Sequence, residues 1–269
     1  MSLIRKRYVE SSVGEIHIRE IAADNEQAAA LICLHPAPSS GLYFETVLPL
    51  LNNRRRVIAP DYPGYGGSAK QDQPRSIEEY AGAMLETIDG LEIDGPVDLL
   101  GFHTGCLVAL EMALQSAPRI GKLVLCDVPY FSIDVRQKLR EDMAKPMPIS
   151  ADLESLADAW TFNISNRLPD IPLPRAFDLF VEHLRGGTHD YFAFDAAFTY
   201  PCEEKFAALE RRVDVIATQS GLLEPSRAAA SALPDVRLLE ALEVESPAFE
   251  TGADAISKRI LSVLDDAYE

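Results

Sequence analysis

The chain has 269 residues, 47% of them hydrophobic, enough to bury one large core as a single domain carrying an insertion. Its 42 acidic against 25 basic residues leave a formal charge of −17. That balance argues against nucleic acid or anionic membrane as partner, since phosphate neutralisation needs clustered Lys and Arg. The basic run Arg54-Arg55-Arg56 leads into Val57-Ile58-Ala59 and reads as a solvated strand entrance.

Met1 to Tyr8 has mixed charge and no apolar core of a leader, and nowhere do about 18 apolar residues follow one another. A cytoplasmic protein is expected. Cys33, Cys106, Cys126 and Cys202 are too few and too scattered for a disulfide framework, so buried reduced thiols are expected. No closely spaced His/Cys cluster suggests zinc, and no metal or organic cofactor is implied.

Glu15 to Arg19 alternates apolar and polar residues, as a half-buried strand does, with His17 directed to solvent. Ala30 to Leu34 is continuously apolar, the pattern of a strand buried on both faces. Further buried-strand runs are Val57–Ala59, Val97–Gly101, Lys122–Cys126, Val213–Ala217 and Val236–Leu239. Helical patterns lie between them. Ser76 to Leu91 opens with Ser76 as N-cap and Glu79 three residues on, a capping-box signature, and Thr104–Ala117 and Ala253–Leu264 are also helical. Strand and helix in this alternation predict a sheet that starts antiparallel and becomes a doubly wound parallel one.

From Asp127 to Val213 that rhythm stops, and the stretch is rich in aromatics and prolines. It is expected to be a helical cap. Most of its aromatic residues should form the cap's own small core and a minority should line an apolar cavity.

Three segments together resemble the α/β-hydrolase superfamily over nearly the whole chain. His35-Pro36-Ala37-Pro38 is similar to the turn after the third strand, which implies Ala37 as a backbone donor of an oxyanion hole. Asp61-Tyr62-Pro63-Gly64-Tyr65-Gly66-Gly67-Ser68 looks like the family's D-x-P-G-x-G-x-S turn. Gly101-Phe102-His103-Thr104-Gly105 stands between a buried strand and a helix, the setting of the G-x-S-x-G nucleophile elbow, with Thr104 as second amide donor. The elbow residue is His103, so an acyl-serine intermediate is excluded there.

The other two triad positions also depart from the family pattern. After the seventh strand the acid position falls on Ser220, and after the eighth the histidine position falls on Glu245. Asp127 ends the sixth strand, where dehalogenase-like relatives carry an alternative acid. A strand-end Asp capping a turn is the commoner arrangement, and an orienting acid needs a histidine to orient.

The resemblance implies an eight-stranded, mostly parallel sheet with helices on both faces, a core of residues 1–128 and 206–269, and a cap of 129–205. Two functions remain open. His103 paired with Glu245 could act as general base in hydrolysis or lyase-type proton transfer on a small carbonyl or ester-like substrate; alternatively the chain is a catalytically inactive small-molecule binding or interaction member. In the dyad Glu245 would raise the histidine's pKa, whereas the helix N-terminus alone would keep the ring neutral. A third arrangement, with working residues in the cap at His183, His189 and Asp190, ranks lowest, because 185–190 reads as an exposed turn. His35 is expected to brace its loop. A homodimer is compatible with the sequence.

Overall fold

A computed structural model describes residues 3–266. Eight strands form one sheet in the order β1-β2-β4-β3-β5-β6-β7-β8. They are β1 (Arg5–Val9), β2 (Ile16–Ile21), β3 (Leu31–Leu34), β4 (Val57–Pro60), β5 (Val97–Phe102), β6 (Ile120–Cys126), β7 (Val213–Gln219) and β8 (Val236–Glu245). β2 runs antiparallel to both β1 and β4, and every pairing from β4 through β3 to β8 is parallel. The sheet begins antiparallel and becomes parallel, as its hydrophobic pattern predicts.

Ten helices flank or extend this sheet: α1 (Leu48–Leu51), α2 (Ile77–Asp89), α3 (Thr104–Gln115), α4 (Ile133–Met143), α5 (Glu154–Trp160), α6 (Leu173–Leu184), α7 (Phe192–Thr199), α8 (Cys202–Ala207), α9 (Leu223–Ala232) and α10 (Ala253–Leu264). Strand side chains alternate between two cores, one on each face. Ile32 and Leu34 join Tyr80, Met84 and Leu107 on the face covered by α2 and α3, whereas Leu31 and Cys33 join Leu48, Ile256 and Ile260 under α1 and α10. The Ser76 capping box forms as expected, its hydroxyl accepting from the Glu79 N–H while the Glu79 carboxylate accepts from the Ser76 N–H. All four cysteines are free and buried.

Helices α4 to α8 fill the chain between β6 and β7. Ile164, Ile171, Ala176 and Phe180 make a small core of their own there, Tyr200 and Phe206 belong to the main core, and Phe192 is buried. Trp160, Phe162 and Phe177 stay largely exposed.

Two expectations for single residues need correction. His17 is buried, not solvent-facing: its Nδ1 lies 2.7 Å from Asp61 Oδ2, and its N–H donates to the Ser68 hydroxyl. Alternation marks a strand's apolar face but does not reveal that a turn folds over the other one. Arg55 is likewise buried, paired with Asp98 at 3.1 Å and with Asp265. Only burial with partners lets a guanidinium leave water at tolerable cost.

Candidate functional site

The strand order reverses around β3, whose neighbours are β4 on one side and β5 on the other. In open parallel sheets such a switch point leaves a crevice at the carboxyl ends of the strands. Ala37 follows β3 there, and His103 follows β5. His103 adopts φ 49° and ψ −119°, a conformation disfavoured for any residue with a Cβ, which costs about 1–3 kcal/mol. The turn is held because its flanks approach so closely. A Cβ on Gly105 would run into the Leu34 carbonyl, and one on Gly101 would lie 2.6 Å from Cys106 Cα. The Cys106 N–H donates to the His103 carbonyl at 2.8 Å, locking the entry into α3. Thr104 is the first residue of α3, so its N–H has no acceptor within the helix.

A cavity of about 250 Å³ opens over this turn, bordered by Ala37, His103 and Thr104 and otherwise by apolar side chains, Phe131, Leu139, Met143, Phe194 and Phe198 among them. The His103 ring stacks on Phe102, centroids 3.9 Å apart, and Phe102 in turn packs against Phe249 at 4.8 Å and Tyr43 at 5.4 Å. Burial alone pushes the His103 pKa down to about 4, so the ring is neutral at pH 7.

Glu245 does not meet it. Near the end of β8, where pairing with β7 shifts register, Val244 is fully buried and Glu245 is exposed, bordering a separate groove with Asp170 and Thr251. The expected His103–Glu245 dyad is therefore not formed. The positional analogy with the family's histidine located the end of β8 but not the direction of its last side chain. Phe249, four residues on, is the group from this segment that packs toward Phe102.

Asp127, at φ 51°, accepts the Thr218 N–H on Oδ1 and the Thr218 hydroxyl on Oδ2. Burial raises its pKa, partly offset by these bonds and by the Ser220 hydroxyl. Ser220 itself opens the turn after β7, its Oγ accepting from the Leu222 N–H. Asp127 thus fastens β6 to β7. His35 braces its loop, with Nδ1 2.9 Å from the Pro36 carbonyl and Nε2 accepting the Tyr62 N–H at 3.0 Å, and burial holds its pKa near 4.

Residues 31–260 match the model of the alpha/beta hydrolase family. The chain belongs to that family. It is 27% identical over 183 residues to 2-hydroxymuconate semialdehyde hydrolase from Pseudomonas sp. (strain CF600), covering 65% of this chain and 62% of that protein. It is 30% identical over 115 residues to 2-hydroxy-6-oxo-2,4-heptadienoate hydrolase from Pseudomonas putida, covering 41% of this chain and 40% of that one. The matched stretches thus span less than two thirds of these relatives' length. Among solved structures, the enol-lactonase from Burkholderia xenovorans LB400 superimposes with TM-score 0.77 at 20% identity, over 97% of this chain and 100% of that one. A hydrolase from Pseudomonas aeruginosa PA01 gives 0.78 at 19%, over 97% and 99%. At these identities the likeness is one of fold.

For an alpha/beta hydrolase family chain, the wall contributed by α4 is the part of the site that sequence reading missed. α4 is mostly polar, and its Leu139 and Met143 stand four residues apart, on one side of the helix. That spacing was the available signal. His183 and Asp190 border a second opening of about 380 Å³ beside α5, away from His103, with the Asp190 pKa raised to about 6 by burial. His189 is exposed and stacks on Phe192. Among the described residues, no group of three or more His, Cys, Asp or Glu is placed to hold a metal, and no helix is long and apolar enough to cross a membrane.

Proposed function

We propose that this family member binds a small carbonyl or carboxyl compound in the elbow pocket and does not hydrolyse it by a nucleophile-histidine-acid relay. One observation carries the reading: the residue at the elbow is an imidazole facing an apolar cavity, with no carboxylate bonded to it among the described residues, and burial favours its neutral form. A base whose pKa lies about three units below neutrality is a poor match for proton abstraction at pH 7, since general-base efficiency peaks when the pKa is near the operating pH. This ranks binding above the general-base alternative.

In this reading the Ala37 and Thr104 amides act as hydrogen-bond donors to one ligand oxygen, and the apolar walls enclose the remainder. Residues 129–205 serve as a cap, since α4 and α7 supply those walls. The cavity is smaller than the roughly 300–1,000 Å³ of sites for drug-sized ligands, which points to a fragment-sized molecule. The names of two relatives, a semialdehyde hydrolase and an enol-lactonase, support a small oxygenated ligand. Four buried thiols fit a reducing, cytoplasmic setting.

The test is a comparison of turnover with ligand-induced stabilisation. The wild-type protein should show no saturable hydrolysis of p-nitrophenyl acetate above buffer and no labelling by a fluorophosphonate, while small oxygenated ligands raise its melting temperature. Saturable turnover that vanishes in His103→Ala would replace this reading by a catalytic one.

A further inference from the structure

We propose that the elbow pocket is selective for a small carboxylic acid, held as its carboxylate with one oxygen on the Ala37 and Thr104 amides and the other on His103. This rests on the binding reading above and names its ligand class.

The polar groups facing the cavity fall into two places. The amides after β3 and at the start of α3 are donors only, and Thr104 begins a twelve-residue helix whose end favours negative charge. The partly buried imidazole also borders the cavity and has no ring hydrogen-bond partner among the described residues, so its nitrogens are free to meet a ligand. A ketone or ester carbonyl has one strong acceptor and would satisfy the amides alone. A carboxylate has two, and satisfies both places at once. Everything else on the cavity wall suits an aliphatic or aryl tail.

The proton balance follows. Free His103 is neutral and a free carboxylic acid is ionised at pH 7, so pairing them as imidazolium and carboxylate takes one proton from solvent. Other titratable groups nearby do not pre-empt this. His35 is tied to the Pro36 carbonyl and the Tyr62 N–H, Asp127 to Thr218, and the Cys106 thiol to the Gly101 and Cys126 carbonyls. Burial keeps Tyr43 and Cys126 protonated. On α4 and α7, Arg136 pairs with Glu203 and Arg140 with Asp195.

Isothermal titration of the whole chain with hexanoate, phenylacetate, phenylacetamide and methyl phenylacetate at pH 7, in phosphate and in Tris, tests this. The difference in heat between buffers reads proton uptake. At least one acid should bind at least tenfold more tightly than the amide and the ester, with uptake approaching one proton. His103→Gln, which keeps a hydrogen-bonding side chain that cannot be protonated, should bind that acid at least tenfold more weakly with no uptake, and its melting curve should show it folded. If the amide or ester binds as tightly as the acids, the acid class is wrong and the binding reading stands. Acid binding without uptake overturns the role of His103, and no binding by any of the four overturns the binding reading itself.

Discussion

Asp127 gives both carboxylate oxygens to Thr218, accepting its N–H at 2.8 Å and its hydroxyl at 2.6 Å. A carboxylate engaged in this way joins two strand ends and is not available to orient a histidine. Asp127→Ala should therefore destabilise the fold, by about 2–4 kcal/mol, because it strands a buried N–H and hydroxyl and leaves a residue at positive φ without its bonds. Asp127→Asn keeps an acceptor for the N–H and should lose about 1 kcal/mol or less. Urea midpoints of the two variants decide this; equal losses would mean that the bonds to Thr218 contribute little.

A hydroxyl placed at position 103 should not bring hydrolysis with it. In His103→Ser the new hydroxyl would find no general base, since the chain has no histidine beyond His189, and Glu245 borders a different groove. The variant should turn over p-nitrophenyl acetate no faster than wild type and resist fluorophosphonate labelling. Stoichiometric labelling of His103→Ser would reveal a base that the present geometry does not supply.

The buried turn after β4 gives a stability term with a definite sign in pH. Desolvation pushes the Asp61 pKa up, but hydrogen bonds and charge from His17 and Arg19 and the Gly67 N–H outweigh it, so the folded value lies below the ordinary 3.8. A depressed carboxyl pKa means that ionised Asp61 favours the fold. Its contribution is complete above pH 3.8 and disappears as pH falls through the folded value. Chemical unfolding of wild type followed downward from pH 5 should show this loss, and Asp61→Asn, already weakened at pH 5, should have a flatter profile. Parallel profiles would assign acid sensitivity to other groups.

What the sequence disclosed, and what it did not, divides along physical lines. The parallel sheet, the elbow and the capping box were legible because each rests on a local constraint: the continuously apolar run Leu31–Leu34, the two glycines around His103, and Ser76 with Glu79 one turn apart. Glu245, His17 and Arg55 were not, because their environment is set by chain segments far away in sequence. Val244 inward and Glu245 outward is a matter of strand phase at an irregular end of β8, where pairing with β7 shifts register. His17 is buried only because the Asp61 turn lies on it. The pocket wall on α4 depends on how a mostly polar helix is laid across the sheet, which composition does not reveal.

Glu182 joins α6 to the sheet. From α6 it accepts from Arg19 Nη2 at 3.2 Å and from the Ser40 hydroxyl, while Arg185 lies 3.0 Å from its second oxygen. Arg19 and Glu182 are both buried, and Arg19 also bonds to Asp61 at 2.8 Å. Removing one member of a buried ion pair typically costs about 3–5 kcal/mol, because the survivor keeps its desolvation penalty. Arg19 would retain Asp61 in Glu182→Ala, so the loss should fall at or below the lower end of that range, about 2–3 kcal/mol. Arg19→Met alone should lose more, since it abandons two carboxylates, and the double variant should lose less than the sum of the two. If the pair anchors the insertion, limited proteolysis should cut Glu182→Ala within 129–205 sooner than wild type. Additive stability losses and an unchanged cleavage rate would mean that the insertion is held by its apolar contacts alone.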